Sequence, residues 1–184
     1  MNKTTFINLP GIGGSAAGHW QTLWEQSDPS IRRFKPLEWD NPQLPEWNKA
    51  LQDAVDAAES PVVLVAHSLS CLLVAHWAAQ TQTVVAGAFL VAVPDPEAPV
   101  FPKAAASFRE VPALPLPFRS LIVASTNDLY GTIEYMERRA KEWGSQTVNI
   151  GDRGHINASS NLGEWREGKT LLHDFVGELD RKGS

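Results

Sequence analysis

The stretch from Val62 to His76, VVLVAHSLSCLLVAH, constrains this chain more than any other. It opens with four aliphatic residues, Val62 to Val65, a run suited to a buried strand. It turns through Ala66-His67-Ser68-Leu69-Ser70 and continues as an apolar run from Cys71 to Ala79 that suits a buried helix. Strand, tight turn around a serine, then helix is the layout of a nucleophile elbow, whose usual pattern is Gly-x-Ser-x-Gly. Ala66 and Ser70 stand at the two glycine positions. Small residues there keep strand and helix from colliding, and Ala and Ser are the next smallest. They fit if the backbone at both sites stays in regions open to a side chain. Taken alone, Ser68 is equally well explained as a helix N-cap.

The rest of the chain repeats the same unit. Thr5 to Leu9 reads as a strand, followed by the glycine loop Pro10-Gly11-Ile12-Gly13-Gly14-Ser15 and a helix from His19 to Gln26. Arg33 to Trp39 reads as a second strand and Glu46 to Glu59 as a helix with Trp47, Leu51, Ala54, Val55 and Ala58 on one face. After the elbow come a fourth strand at Val84–Val93, a fifth at Ser120–Ser125 and a sixth at Gln146–Ile150. Helices are expected at Ile133–Trp143 and Leu171–Leu179. Residues 94–117 hold seven prolines, so that segment is mostly loop, with a short helix near Lys103 to Phe108. Alternating strands and helices, with strands as near-continuous apolar runs, predict an α/β fold. Its sheet is mostly parallel and covered by helices on both faces. A single domain spanning 1–184, with six strands in the order 2-1-3-4-5-6, is the expected architecture.

Composition narrows the function. A net charge of −5 argues against a nucleic-acid or anionic-membrane partner. A lone cysteine, Cys71, excludes an intrachain disulfide. Met1-Asn2-Lys3-Thr4-Thr5 leads into a strand without a signal-like apolar core, and no apolar run is long enough to span a bilayer, so the expected location is cytoplasmic. Seven tryptophans suit a core, or in part a pocket. The glycine loop is no dinucleotide fingerprint, because Ala16 stands where the third glycine belongs, and no Gly-Lys-Ser/Thr follows. The five histidines lack metal-ligand spacing. Neither a cofactor nor a metal is called for.

Gly11, Ser68, Asp95, Asp128 and His155 all fall just past expected strand ends, where open parallel sheets carry their active residues. A serine hydroxyl needs a base to take its proton, and the base needs a carboxylate to orient it. On this architecture the expected chain order is Ser, acid, His. Ser68, Asp128 and His155 satisfy it, as nucleophile, orienting acid and base. Asp95 competes with Asp128 for the acid role, and Asp152 reads as a turn residue. The oxyanion would be met by the backbone N–H of Leu69 and by one from the first loop, Ile12 or Gly13. His67 is expected to pack beneath the turn.

Several segments spread over the chain together resemble the small α/β-hydrolase family of retinoblastoma-binding protein 9 and YdeN-type serine hydrolases. They are Pro10–Gly14, His19-Trp20, Val65–Cys71, Val91–Asp95, Ser125–Asp128, Gly154–Ala158 and Gly163–Trp165. The resemblance implies a compact α/β-hydrolase fold, a three-layer sandwich without a large lid domain, and a triad at Ser68, Asp128 and His155. The family usually has Gly where Ala66 stands. A pocket-protein motif of the form Leu-x-Cys-x-Glu is absent, so retinoblastoma-type binding does not carry over. Two functional readings stay open. One is a serine hydrolase acting on a small-molecule ester, thioester or amide. The other is a binding or scaffold protein that keeps the fold with little activity. The oligomeric state is not legible.

Overall fold

The computed structural model describes residues 4–58 and 61–182. Six strands form one all-parallel sheet: β1 (Thr5–Leu9), β2 (Ile31–Arg33), β3 (Val62–His67), β4 (Gly87–Val91), β5 (Arg119–Ala124) and β6 (Gln146–Asn149). Their spatial order is β2-β1-β3-β4-β5-β6, as expected. The helices are α1 (Trp20–Ser27), α2 (Leu44–Asp56), α3 (Leu69–Ala78), α4 (Ile133–Trp143) and α5 (Arg166–Lys182), with short 3-10 helices at Lys103–Phe108 and Ala158–Ser160.

The central strands β3 and β4 are apolar at every position up to His67 because both faces are covered, and period-two alternation divides their side chains between two cores. In β3, Leu64 and Ala66 face a core shared with Trp47 and Leu51 of α2, Leu72 of α3, and Met136 and Trp143 of α4. Val63 and Val65 face the opposite core, with Trp20 and Trp24 of α1, Trp165, and Leu172 and Phe175 of α5. This is a three-layer sandwich. Each fully buried large side chain contributes roughly 1.5–3 kcal/mol. Helix α3 lies deepest: every residue from Leu69 to Trp77 is buried, which explains why its sequence lacks a polar face. Trp20, Trp24, Trp47 and Trp143 are core residues of the same kind.

Several boundaries differ from the sequence expectation. The second strand is Ile31–Arg33, not Arg33–Trp39. Its ladder follows β1 from Phe6↔Ile31 to Asn8↔Arg33. Beyond it, Pro36 has no N–H to offer, and the chain instead folds Trp39 over the glycine loop. The fourth strand is shorter than Val84–Val93, because its neighbour β3 pairs only over Gly87–Val91, and Val84 lies exposed. The last helix starts five residues before Leu171, at Arg166. The expected end of the second helix, Glu59, lies outside the described residues. No helix among the described residues is long and apolar enough to cross a membrane.

Candidate active site

The backbone of the elbow is strained at one point. Ser68 has φ 56° and ψ −126°, a conformation that costs a non-glycine residue on the order of 1–3 kcal/mol. It is held by two backbone bonds, Ser68 N–H to Val91 O at 2.9 Å and Cys71 N–H to Ser68 O at 2.8 Å. Neither Ala66 nor Ser70 adopts a positive φ. Ala66 is an ordinary strand residue paired with Leu9 and Leu90, and Ser70 lies in the first turn of α3. Neither position therefore requires glycine, and Ser70 adds something glycine could not. Its Oγ donates to the carbonyl of Pro10 at 2.6 Å, tying the elbow to the glycine loop.

Ser68, Asp128 and His155 converge. His155 Nε2 lies 2.7 Å from Ser68 Oγ, and Nδ1 lies 2.9 and 2.8 Å from the two Asp128 carboxylate oxygens. A carboxylate only accepts, so Nδ1 carries the proton and Nε2 is free to accept from the serine hydroxyl. The Asp128 side chain has no exposed surface and also accepts the Tyr130 N–H at 2.8 Å. Asp95 does not reach the histidine; its carboxylate accepts the N–H of Glu97 in a local turn. Asp152 is exposed.

The loop that carries His155 is pinned on both sides. From the loop after β5, Asn127 Oδ1 accepts the N–H of Gly154 at 2.6 Å, and Ser125 Oγ accepts that of Arg153 at 2.9 Å. From below, two buried rings donate to consecutive carbonyls: His67 Nε2–H to His155 O at 2.9 Å, and Trp20 Nε1–H to Ile156 O at 2.8 Å. Ile156 itself sits at φ 48°, so this strained segment is held by its surroundings. The Tyr130 ring lies against the imidazole, with centroids 4.3 Å apart. The positioning roles of Trp20, Tyr130 and Ser70 escape a reading by chain order, since they depend on which loops meet. The neighbouring motif residues Ser125 and Asn127 were the available signal for the pinning from the loop after β5.

The glycine loop packs directly on the elbow. A Cβ at Gly11 would stand 3.0 Å from Ser68 Cβ, so only glycine fits there without displacement. Of the two loop residues expected to donate to an oxyanion, Gly13 already gives its N–H to Trp39 O at 3.2 Å. Ile12 and Leu69 have no such backbone bond among the described residues. Both line a cavity of about 370 Å³ that also holds Ser68 and His155. None of the tryptophans lines it.

Three imidazoles lead toward the site, His19 edge-on to His67 at 4.7 Å and His67 tilted against His155 at 5.1 Å between centroids. Burial, with smaller repulsions from Arg33 and His155, holds His19 down to about 4. Burial likewise keeps His67 well below the ordinary histidine range. Both stay neutral at physiological pH, and the hydrogen bond of His19 requires it, since its Nδ1 accepts the Gln21 N–H while capping α1. Burial pushes the Cys71 thiol far up, which removes it as a competing nucleophile.

Residues 6–174 match the serine hydrolase family. The chain belongs to it. In structure the hydrolase is similar to a YdeN-like hydrolase from Pectobacterium atrosepticum, at 31% identity and TM-score 0.86 over 96% of this chain and 92% of that one. It also resembles the ydeN gene product of B. subtilis, at 16% identity and TM-score 0.77 over 96% and 100% of the two chains. A thermophilic esterase from Thermogutta terrifontis matches at 14% identity and TM-score 0.72 over 96% and 90%. The last two likenesses speak for the shared α/β-hydrolase fold alone. No protein of curated function matches the hydrolase in sequence.

Proposed function

We propose that this serine hydrolase cleaves small esters, thioesters or amides through an acyl-enzyme on Ser68, with His155 as base and Asp128 as its orienting acid. The observation that carries the reading is the continuous hydrogen-bond chain from Ser68 Oγ through His155 to Asp128, ending in the 370 Å³ cavity. Ser68 Oγ forms a bond to the acyl carbon as its proton passes to His155 Nε2. The bond from that carbon to the leaving heteroatom then breaks, and His155 returns the proton to it. Water repeats the sequence, releasing a carboxylic acid and free Ser68. The N–H groups of Leu69 and Ile12 stabilise the oxyanion; each such donor is worth about 3–4 kcal/mol in the transition state.

The test uses p-nitrophenyl butyrate turnover and fluorophosphonate labelling. Ser68→Ala is expected to abolish labelling and to lower kcat by up to roughly a millionfold. A wild type that neither labels nor turns over ester would favour the binding-protein reading. Equal labelling of wild type and Ser68→Ala would place the nucleophile elsewhere.

A further inference from the structure

The hydrolase reading leaves the acyl group undefined, and the cavity walls bear on it. None of its lining residues is Asp, Glu, Lys or Arg. Three charged groups close to the lining have partners of their own. Asp128 is bound to His155, and Arg33 behind the glycine loop pairs with Glu25 at 2.9 Å. The Arg109 guanidinium lies over the Phe101 ring at 5.2 Å, donates to Pro96 O and pairs with Glu97.

The tetrahedral centre on Ser68 has three further substituents: the oxyanion, met by the N–H groups of Leu69 and Ile12; the leaving atom, which must meet His155 Nε2 to receive its proton; and the acyl chain. Apart from the glycine loop and its continuation to His19, the elbow and the His155 loop, the cavity is lined by Tyr130, which lies against His155, and by the apolar Pro94, Phe101 and Pro102 from the loop after β4.

That wall is firm. Asp95 N–H donates to Tyr130 O at 2.7 Å and Phe101 N–H to Ala98 O at 2.9 Å. The Phe101 side chain is itself anchored in the core beside Ala105 and Phe108.

Resting on the serine hydrolase reading, we propose that the enzyme selects an uncharged, apolar acyl group, and that Phe101 closes the acyl side of the cavity and sets the chain length accepted. A charged terminus desolvated against that apolar wall would find no charged partner among the lining residues.

The experiment compares background-subtracted kcat/KM for p-nitrophenyl acetate, butyrate, hexanoate and octanoate. Two charged counterparts of hexanoate are added, the adipate monoester and the 6-aminohexanoate. The intact wild type is compared with Phe101→Ala and, in case that variant does not fold, Phe101→Leu. Hexanoate is expected to exceed both charged esters by about 100-fold or more. Either variant is expected to raise the octanoate-to-butyrate ratio about tenfold. Charged and neutral esters turned over equally, or a chain-length profile unmoved in both variants, would overturn the inference. Fluorophosphonate labelling of Ser68 separates the two levels, because it does not depend on acyl preference. Labelling with indifference to charge sinks only the acyl proposal, whereas a wild type that does not label sinks the hydrolase reading beneath it.

Discussion

Gly11→Ala isolates how closely the glycine loop must approach Ser68, the proposed nucleophile. The added Cβ would stand 3.0 Å from Ser68 Cβ, 3.2 Å from His67 O and 3.5 Å from Leu69 N. Carbon atoms rest at about 3.5–4.0 Å, so loop and elbow must separate by about 0.5–1 Å. Neither side yields cheaply. The elbow is bound to Val91, and the loop is held by Ser70 through Pro10 O. Overpacking of this kind costs about 1–3 kcal/mol of stability. Displacing Ser68 by up to about 1 Å, with a methyl beside the Leu69 N–H, is expected to lower kcat/KM for p-nitrophenyl butyrate by roughly 10- to 100-fold. Chemical denaturation and ester kinetics on the same preparation read the two effects separately. Gly18→Ala is the control, because a Cβ there meets nothing within 4 Å. Wild-type kcat/KM in Gly11→Ala would refute the reasoning, as would equal losses in both variants.

Trp20→Phe removes the donor to Ile156 O, and Trp24→Phe removes an equivalent donor to Glu164 O at 2.6 Å. Both should cost about 1–3 kcal/mol for the carbonyl left unpaired. Only Trp20→Phe should also depress kcat and shift its pH profile, since its carbonyl adjoins His155; matching kinetics for the two variants would contradict this. Stability should also depend on pH through His19, which is held down to about 4 when folded and returns to about 6.5 when unfolded. Between those values the unfolded chain binds more protons, so stability is full above about 6.5 and declines as pH falls through 4. The loss is about 3 kcal/mol from His19, and buried His67 adds to it in the same direction. Denaturation midpoints at pH 7 and pH 4.5 measure the decline. His19→Asn keeps a capping side chain and should flatten it, and an unchanged slope in that variant would count against His19 as a source.

The sheet was legible because parallel strands buried on both faces must be largely apolar, and β3 up to His67, β4, and β5 from Leu121 are. The short β2 was not, since Phe34 and Trp39 are buried or half-buried without being in a strand, and apolarity reports burial rather than pairing. Asp128 was separable from Asp95 only as an expectation. Both follow strand ends, and what distinguishes them is which loop the β6 turn lies against. The elbow glycines misled in a different way. Their absence looked like a defect of the motif, whereas the strained φ belongs to Ser68 alone.

What the amino-acid order determined by itself is local and periodic. It includes the strand–turn–helix around Ser68, the β-α alternation that places loops at one end of the sheet, and the chain order of serine, acid and histidine. These follow from side-chain size, backbone preference and burial on two faces, which neighbours in sequence express. Tertiary structure alone decided the contacts between residues about 60 to 140 positions apart. Those are the 2.7 Å approach of His155 to Ser68, the two ring N–H groups beneath the His155 loop, and the bond from Ser70 to Pro10. Such contacts depend on sub-ångström packing of separate loops, and no local pattern encodes that.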